Sequence, residues 1–115
     1  MSRQEVIIIE EDEDKGRFLA EAIEALFPEK FIVISKSRKP DAIIFLLNSR
    51  KPPYAILADE PGIRSCSMAI CAKFPKPSTI FVVADTTFDV NLRNTDAHRH
   101  LPPPFTLDQI KQALS

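Results

Sequence analysis

The chain predicts an α/β domain, a five-stranded parallel sheet with helices on both faces, and three observations predict it. Short β-branched and apolar runs alternate with segments of helical periodicity along all 115 residues. A run without polar alternation reads as a strand buried on both faces, as central parallel strands are. Two of the runs, EVIIIE and YAILAD, end in acids. Ten prolines against two glycines gather at Pro52, Pro53, Pro75, Pro77 and Pro102 to Pro104, between the apolar runs, where they punctuate loops.

Val6 to Ile9 is the first strand, four β-branched residues leading straight into five acids, Glu10 to Asp14. Phe18, Leu19, Ala22, Ile23 and Leu26 fall at helical spacing and predict an amphipathic helix over Lys15 to Phe27, ended by Pro28. Phe31 to Ser35 is the second strand. SKSRKPD then turns the chain into a short helix over Asp41 to Asn48, with Ile43, Ile44, Leu46 and Leu47 as its apolar residues. After a break at Arg50 to Pro53, Tyr54 to Asp59 is the third strand, and Pro61-Gly62 reads as a turn into a third helix, Ile63 to Phe74. Ser78 to Asp85 is the fourth strand. Thr86 to Asn94, anchored only by Phe88, Val90 and Leu92, is a fourth helix. His98 to Leu101 is a short fifth strand and Pro102 to Pro104 a rigid loop. Thr106 and Gln109 form a capping box that opens a last helix carrying Ile110 and Leu114.

Five strand and helix pairs joined by right-handed crossovers make a doubly wound sheet. At this length the economical arrangement is the flavodoxin-like order 2-1-3-4-5, in which the first and third strands are neighbours at the switch point where such sheets bind ligands. That adjacency brings Glu10, Glu11 and Asp59 to one crevice.

With 44% hydrophobic and 27% charged residues, residues 1–115 make one domain with one core. Fifteen basic against sixteen acidic residues leave a net charge of -1, which gives no electrostatic basis for nucleic-acid binding. No signal peptide is evident and no apolar run approaches the roughly 20 residues of a membrane span, so a cytoplasmic protein is expected, with no membrane partner. Cys66 and Cys71 are five positions apart on a helix and point about 140° away from each other. Two buried reduced thiols are expected, with no disulfide between them. His98 and His100 alternate on a strand but lack a third metal ligand, and scattered basic residues such as Arg38-Lys39 read as solvated loop charge. With Gly16 and Gly62 the only glycines, a glycine-rich nucleotide loop is excluded.

Carboxylates gathered at one crevice repel one another, by roughly 3 kcal/mol for two unit charges 5 Å apart at an effective dielectric of 20. A hard divalent ion, Mg²⁺ above all, relieves this and also lets an aspartate attack a phosphoryl donor. Asp12, Glu13 and Asp14 need no such role, because acids suit the first turn of a helix.

With those residues in place, the whole chain resembles the receiver domain of two-component response regulators. IIEEDED is similar to the acidic pair after the family's first strand, with Glu10 and Glu11 at the two acidic positions. YAILAD is similar to the strand that presents the phosphoacceptor, which puts Asp59 in that role. The resemblance implies Mg²⁺ held by Glu10, Glu11 and Asp59. It also implies a switch running through Val83, where the family has a Thr or Ser, His100, where it has an aromatic residue, and Pro103, where it has the lysine of a Lys-Pro pair. Val83 lacks the hydroxyl and Pro103 the ammonium that serve the phosphoryl group, Glu11 is one methylene longer than aspartate, and Pro61-Gly62 arrives about two residues early. The expectation is therefore a degenerate receiver that docks partners, with weak or no phosphorylation at Asp59 and a cis Pro103-Pro104 bond like the family's Lys-Pro. The implied partners are a histidine kinase or other signalling protein, a C-terminal output domain, and a second copy bound through the fourth helix, fifth strand and last helix around His100, Phe105 and Ile110. Two rivals are a working receiver phosphorylated on Asp59 with Mg²⁺ and a small Mg²⁺-dependent hydrolase. The latter lacks a group to activate water.

Overall fold

The computed structural model describes residues 3–75, 77–84 and 98–115. Strands β1 (Gln4–Ile9), β2 (Phe31–Lys36), β3 (Ala55–Ala58), β4 (Ile80–Val83) and β5 (His98–His100) alternate with helices α1 (Glu13–Leu26), α2 (Lys39–Asn48) and α3 (Glu60–Lys73), and α4 (Leu107–Ala113) closes the chain. All four strand pairings are parallel, in the order β2-β1-β3-β4-β5, as expected. The helix expected over Thr86–Asn94 and the acid Asp85 lie outside the described residues.

The lack of polar alternation in β1 has a direct structural cause. Val6 and Ile8 face one side of the sheet and pack with Leu19 and Ile23 of α1 and with Ile110 and Leu114 at the C-terminal helix. Ile7 and Ile9 face the other and pack with Ala42 and Leu46 of α2 and with Ile63, Cys66 and Ile70 of α3. Each face carries its own apolar layer, so every residue of Val6–Ile9 is buried. β3 divides in the same way, with Ala55 and Leu57 on the first face and Ile56 and Ala58 on the second.

Each of the first three helices starts earlier than its apolar spacing indicates. Asp12 caps α1 by accepting from the amides of Asp14 and Lys15, so Glu13 and Asp14 form the first turn. α2 starts at Lys39 with Pro40 in its first turn. α3 starts at Glu60, and Pro61 and Gly62, expected as a turn before the helix, lie within its first turn. Periodicity marks where a helix begins to bury side chains. The polar residues that start it are set by capping and by the helix dipole.

Other expectations are corrected by burial. Cys66 is buried as expected, but Cys71 is exposed, because the 140° between them turns one toward the sheet and the other away. Ile44 and Leu47 of α2 are more than half exposed, leaving Ala42 and Leu46 as that helix's buried residues. Ile110, expected on a docking surface, is fully buried against the α1 side of the sheet, whereas Leu107 on the same helix is half exposed.

Candidate functional site

β1 and β3 are adjacent and in register from Val6↔Ala55 to Ile8↔Leu57, so the residues that follow them emerge side by side at the carboxyl edge of the sheet. Ile9, Glu10, Glu11, Lys39 and Asp59 line a small crevice there, with about 60 Å³ of internal space. The three expected acids do converge. β2 is the other neighbour of β1, and its last residue, Lys36, lies opposite Ile9. The start of α2 is thereby delivered to the same edge, and Lys39 comes with it. Sequence reading had placed Lys39 in solvated loop charge.

The acids have local hydrogen-bonding work. Glu10 is half-buried, and its Oε1 accepts from the amide of Asp12 at 3.1 Å. Asp59 is the N-cap of α3: its Oδ1 accepts from the amide of Gly62 at 2.8 Å, and the Ile63 amide donates to its carbonyl oxygen at 2.9 Å. Gly62 is what allows the fit. A Cβ there would lie 2.8 Å from Asp59 Oδ1 and 2.9 Å from the Ala58 Cβ. Glu60 pairs with Arg64 one turn along, at 2.8 Å.

Val83 and Ala84 end β4 beside β3, with Ala58 opposite Val83 and the Ala84 amide bonded to the Ala58 carbonyl at 2.7 Å. Val83 is fully buried in the apolar layer on the α2 and α3 side. His100 is half-buried on β5 opposite Val83. Leu101, Pro102 and Pro103 follow, and the Pro103-Pro104 bond is cis, as expected.

Cys66 of α3 is buried in the same apolar layer as Ala58, Ile63 and Val83. Burial pushes its thiol up to about 11; the positive charge of Lys39 opposes that rise and the negative charge of Asp59 adds to it.

A divalent ion needs several hard oxygens free to turn onto it. Here one oxygen of Asp59 is committed to the α3 cap, one of Glu10 is committed to the backbone of Asp12, and an ammonium-bearing side chain shares the space. Among the described residues no three His, Cys, Asp or Glu side chains are grouped as a metal site. Asp59 Oδ2, Glu10 Oε2 and the Glu11 carboxylate are the oxygens through which a divalent ion would be held in the crevice.

No protein-family model matches the sequence, and no curated relative is detected. Solved structures do match over nearly the whole chain. The response regulator receiver protein from Burkholderia phymatum has a TM-score of 0.66 at 13% identity, covering 97% of this chain and 95% of its own. The chemotaxis protein CheY4 of Vibrio cholerae has a TM-score of 0.74 at 13% identity, covering 98% and 97%. A two component response regulator from Cytophaga hutchinsonii has a TM-score of 0.63 at 16% identity, covering 97% and 95%. With the strand order β2-β1-β3-β4-β5 and matches over nearly the whole chain, the chain has the fold of response-regulator receiver domains.

Proposed function

We propose that this chain is a receiver-like signalling module of a two-component phosphorelay, not an enzyme, and that it acts by docking a partner with weak or no phosphorylation at Asp59. The observation that carries the reading is the commitment of Asp59, the phosphoacceptor position, to the first turn of α3 through Gly62. The cap holds Oδ1 and restricts rotation of the carboxylate, so attack on a phosphoryl donor would have to come from Oδ2 in the orientation the cap sets. Val83 and Pro103 support the same reading, since the resemblance puts them where receivers carry the hydroxyl and the ammonium that hold the phosphoryl group. A lost charged contact of that kind costs on the order of 2 kcal/mol, more than a decade in rate or occupancy.

The partner is a histidine kinase or another signalling protein, and an output domain or a second copy of the chain is the other kind of surface a receiver fold serves. Of the residues expected on the docking face, His100 and Phe105 are half-buried and Leu107 is half exposed, so they, without Ile110, are the positions assigned to contact.

The test is incubation with a small phosphoryl donor and Mg²⁺, read by intact mass, with Asp59→Asn as the control. An unmodified chain and unconsumed donor support the proposal. A stable adduct on the wild type but not on Asp59→Asn would identify a working receiver, and consumption of donor without an adduct would identify a hydrolase.

A further inference from the structure

We infer that the outward face of α2 is a self-association surface, on which a second copy of this chain packs its own α2 antiparallel. The inference does not rest on the receiver reading, and the surface is separate from the His100, Phe105 and Leu107 positions assigned above.

The starting point is a mismatch between composition and burial in α2. Ala42 to Leu47 are apolar without interruption, and no charged residue occurs between Asp41 and Arg50. Only Ala42 and Leu46 are buried, whereas Ile44 is 58% and Leu47 53% exposed. At 3.6 residues per turn, Pro40, Ile44 and Leu47 fall within about 60° of one another around the helix, and Pro40 is exposed as well. They form an apolar strip along the solvent side. A helix that is apolar on its outer face as well as its inner one is suited to being covered on both. Beside the strip, between α2 and the end of the edge strand β2, lies a groove of about 500 Å³. Ile44 and Phe45 are its apolar walls, and Lys36, Asp41 and Asn48 are part of its polar lining.

The charges at the two ends of the strip identify the occupant. Asp41 lies in the first turn of α2, Arg50 and Lys51 follow its last turn, and all three are exposed. Among the described residues none of the three has an ion-pair partner. An acid at one end and two bases at the other make the strip complementary to itself when the second copy runs antiparallel. Asp41 and Arg50 are spaced symmetrically about Ile44 and Leu47, so setting Ile44 opposite the second copy's Leu47 also sets each Asp41 opposite Arg50 and Lys51. Each Leu47 then meets Ile44 beside the groove. The same contacts recur on both sides of a two-fold axis, as an isologous interface requires. A parallel arrangement would put acid beside acid and base beside base. One helix face covers less than the roughly 1,200 Å² at which stable interfaces begin, so the association belongs to the weak, reversible class.

Sedimentation equilibrium from about 20 μM to about 1 mM, where contacts of that strength become populated, tests the inference. The wild type should move from monomer toward dimer mass across this range. Ile44→Glu and Leu47→Glu should each weaken association at least about tenfold, because a carboxylate would be buried in an apolar contact. Both side chains are more than half exposed in the single chain, so melting temperatures close to that of the wild type show that folding is intact. If either variant does not fold, Ile44→Ser is held to the same criteria. Asp41→Lys and Arg50→Asp/Lys51→Asp should each associate more weakly than the wild type, since like charges then meet at both ends. An equimolar mixture of these two should associate more tightly than either alone, because opposite charges face each other again, and salt should reduce that gain. A wild type that stays monomeric at the highest concentration would overturn the inference. So would association that Ile44→Glu leaves intact, or that Leu107→Glu on the other face abolishes instead. A mixture no tighter than its components would overturn it too, because the antiparallel orientation is part of what is inferred.

Discussion

The carboxylate of Asp59 accepts a hydrogen bond from the amide of Gly62 at 2.8 Å, so the side chain that ends β3 is also the cap that starts α3. A residue in that position has a folding role that can be measured apart from any signalling role. Asp59→Ala should lower stability by about 1 kcal/mol, the usual cost of losing an N-cap, and Asp59→Asn by only a few tenths, because asparagine caps as well as aspartate. Urea denaturation of the three proteins checks this. Equal stability of wild type and Asp59→Ala would mean the cap contributes nothing.

Gly62 is the counterpart. Alanine is favoured over glycine inside a helix by up to about 1 kcal/mol, so Gly62→Ala would be stabilising if propensity decided the outcome. Here the new methyl would meet Asp59 Oδ1 at 2.8 Å and the Ala58 Cβ at 2.9 Å, and relieving such contacts costs typically 1 to 3 kcal/mol. A net loss of roughly 1 to 2 kcal/mol is expected. Since one of the two clashes is with Asp59, the Asp59→Ala/Gly62→Ala double variant should lose less than the sum of the single losses, a non-additivity that a double-mutant cycle resolves.

The strands were legible because burial on both faces leaves an unmistakable pattern in Val6–Ile9 and in Ala55–Ala58, and the order 2-1-3-4-5 followed from the alternation of elements. The convergence of Glu10, Glu11 and Asp59 followed from that order. What sequence reading missed lay at helix starts. Asp59-Glu60-Pro61 has the marks of an N-cap followed by an acid and a proline in the first turn, but Pro61-Gly62 also suggests a turn, and the turn reading hid the cap. Lys39 was missed for a related reason. Placing α2 at Asp41 instead of Lys39 left the lysine in a loop, and only the pairing of β2 beside β1 shows that this loop ends at the acidic edge. Residues whose importance comes from two chain segments meeting have no local signature.

The C-terminal helix offers a third check. Tyr54 donates its hydroxyl proton to the Leu114 carbonyl at 2.7 Å, and Arg99 Nη1 donates to the carbonyls of Ala113 and Ser115 at 2.7 and 2.8 Å. Between them they satisfy acceptors that a helix end leaves open, and the arginine also places positive charge at the negative end of the dipole. Tyr54→Phe and Arg99→Ala should each cost about 1 kcal/mol, and hydrogen exchange should accelerate first in α4. Protection lost evenly over the whole sheet would show that these bonds do not act locally on that helix.

The two cysteines provide the last test. A thiol reagent at neutral pH should modify Cys71 quickly and leave Cys66 unmodified on the same timescale, since the first is exposed and the second has no accessible surface. The Cys66 thiol also predicts a pH dependence. Burial raises it from 9.0 to about 11 in the folded chain, so the folded state keeps a proton that the unfolded state releases. Stability from this group is complete below about pH 9 and falls as pH rises toward about 11, because over that window the unfolded chain binds fewer protons. One proton sets the greatest slope, about 1.4 kcal/mol per pH unit. The comparison is with Cys66→Ala, whose cavity lowers stability at every pH but whose stability should fall less steeply between pH 9 and 11. Parallel curves for the two proteins across that window would show that the buried thiol does not titrate as its surroundings require.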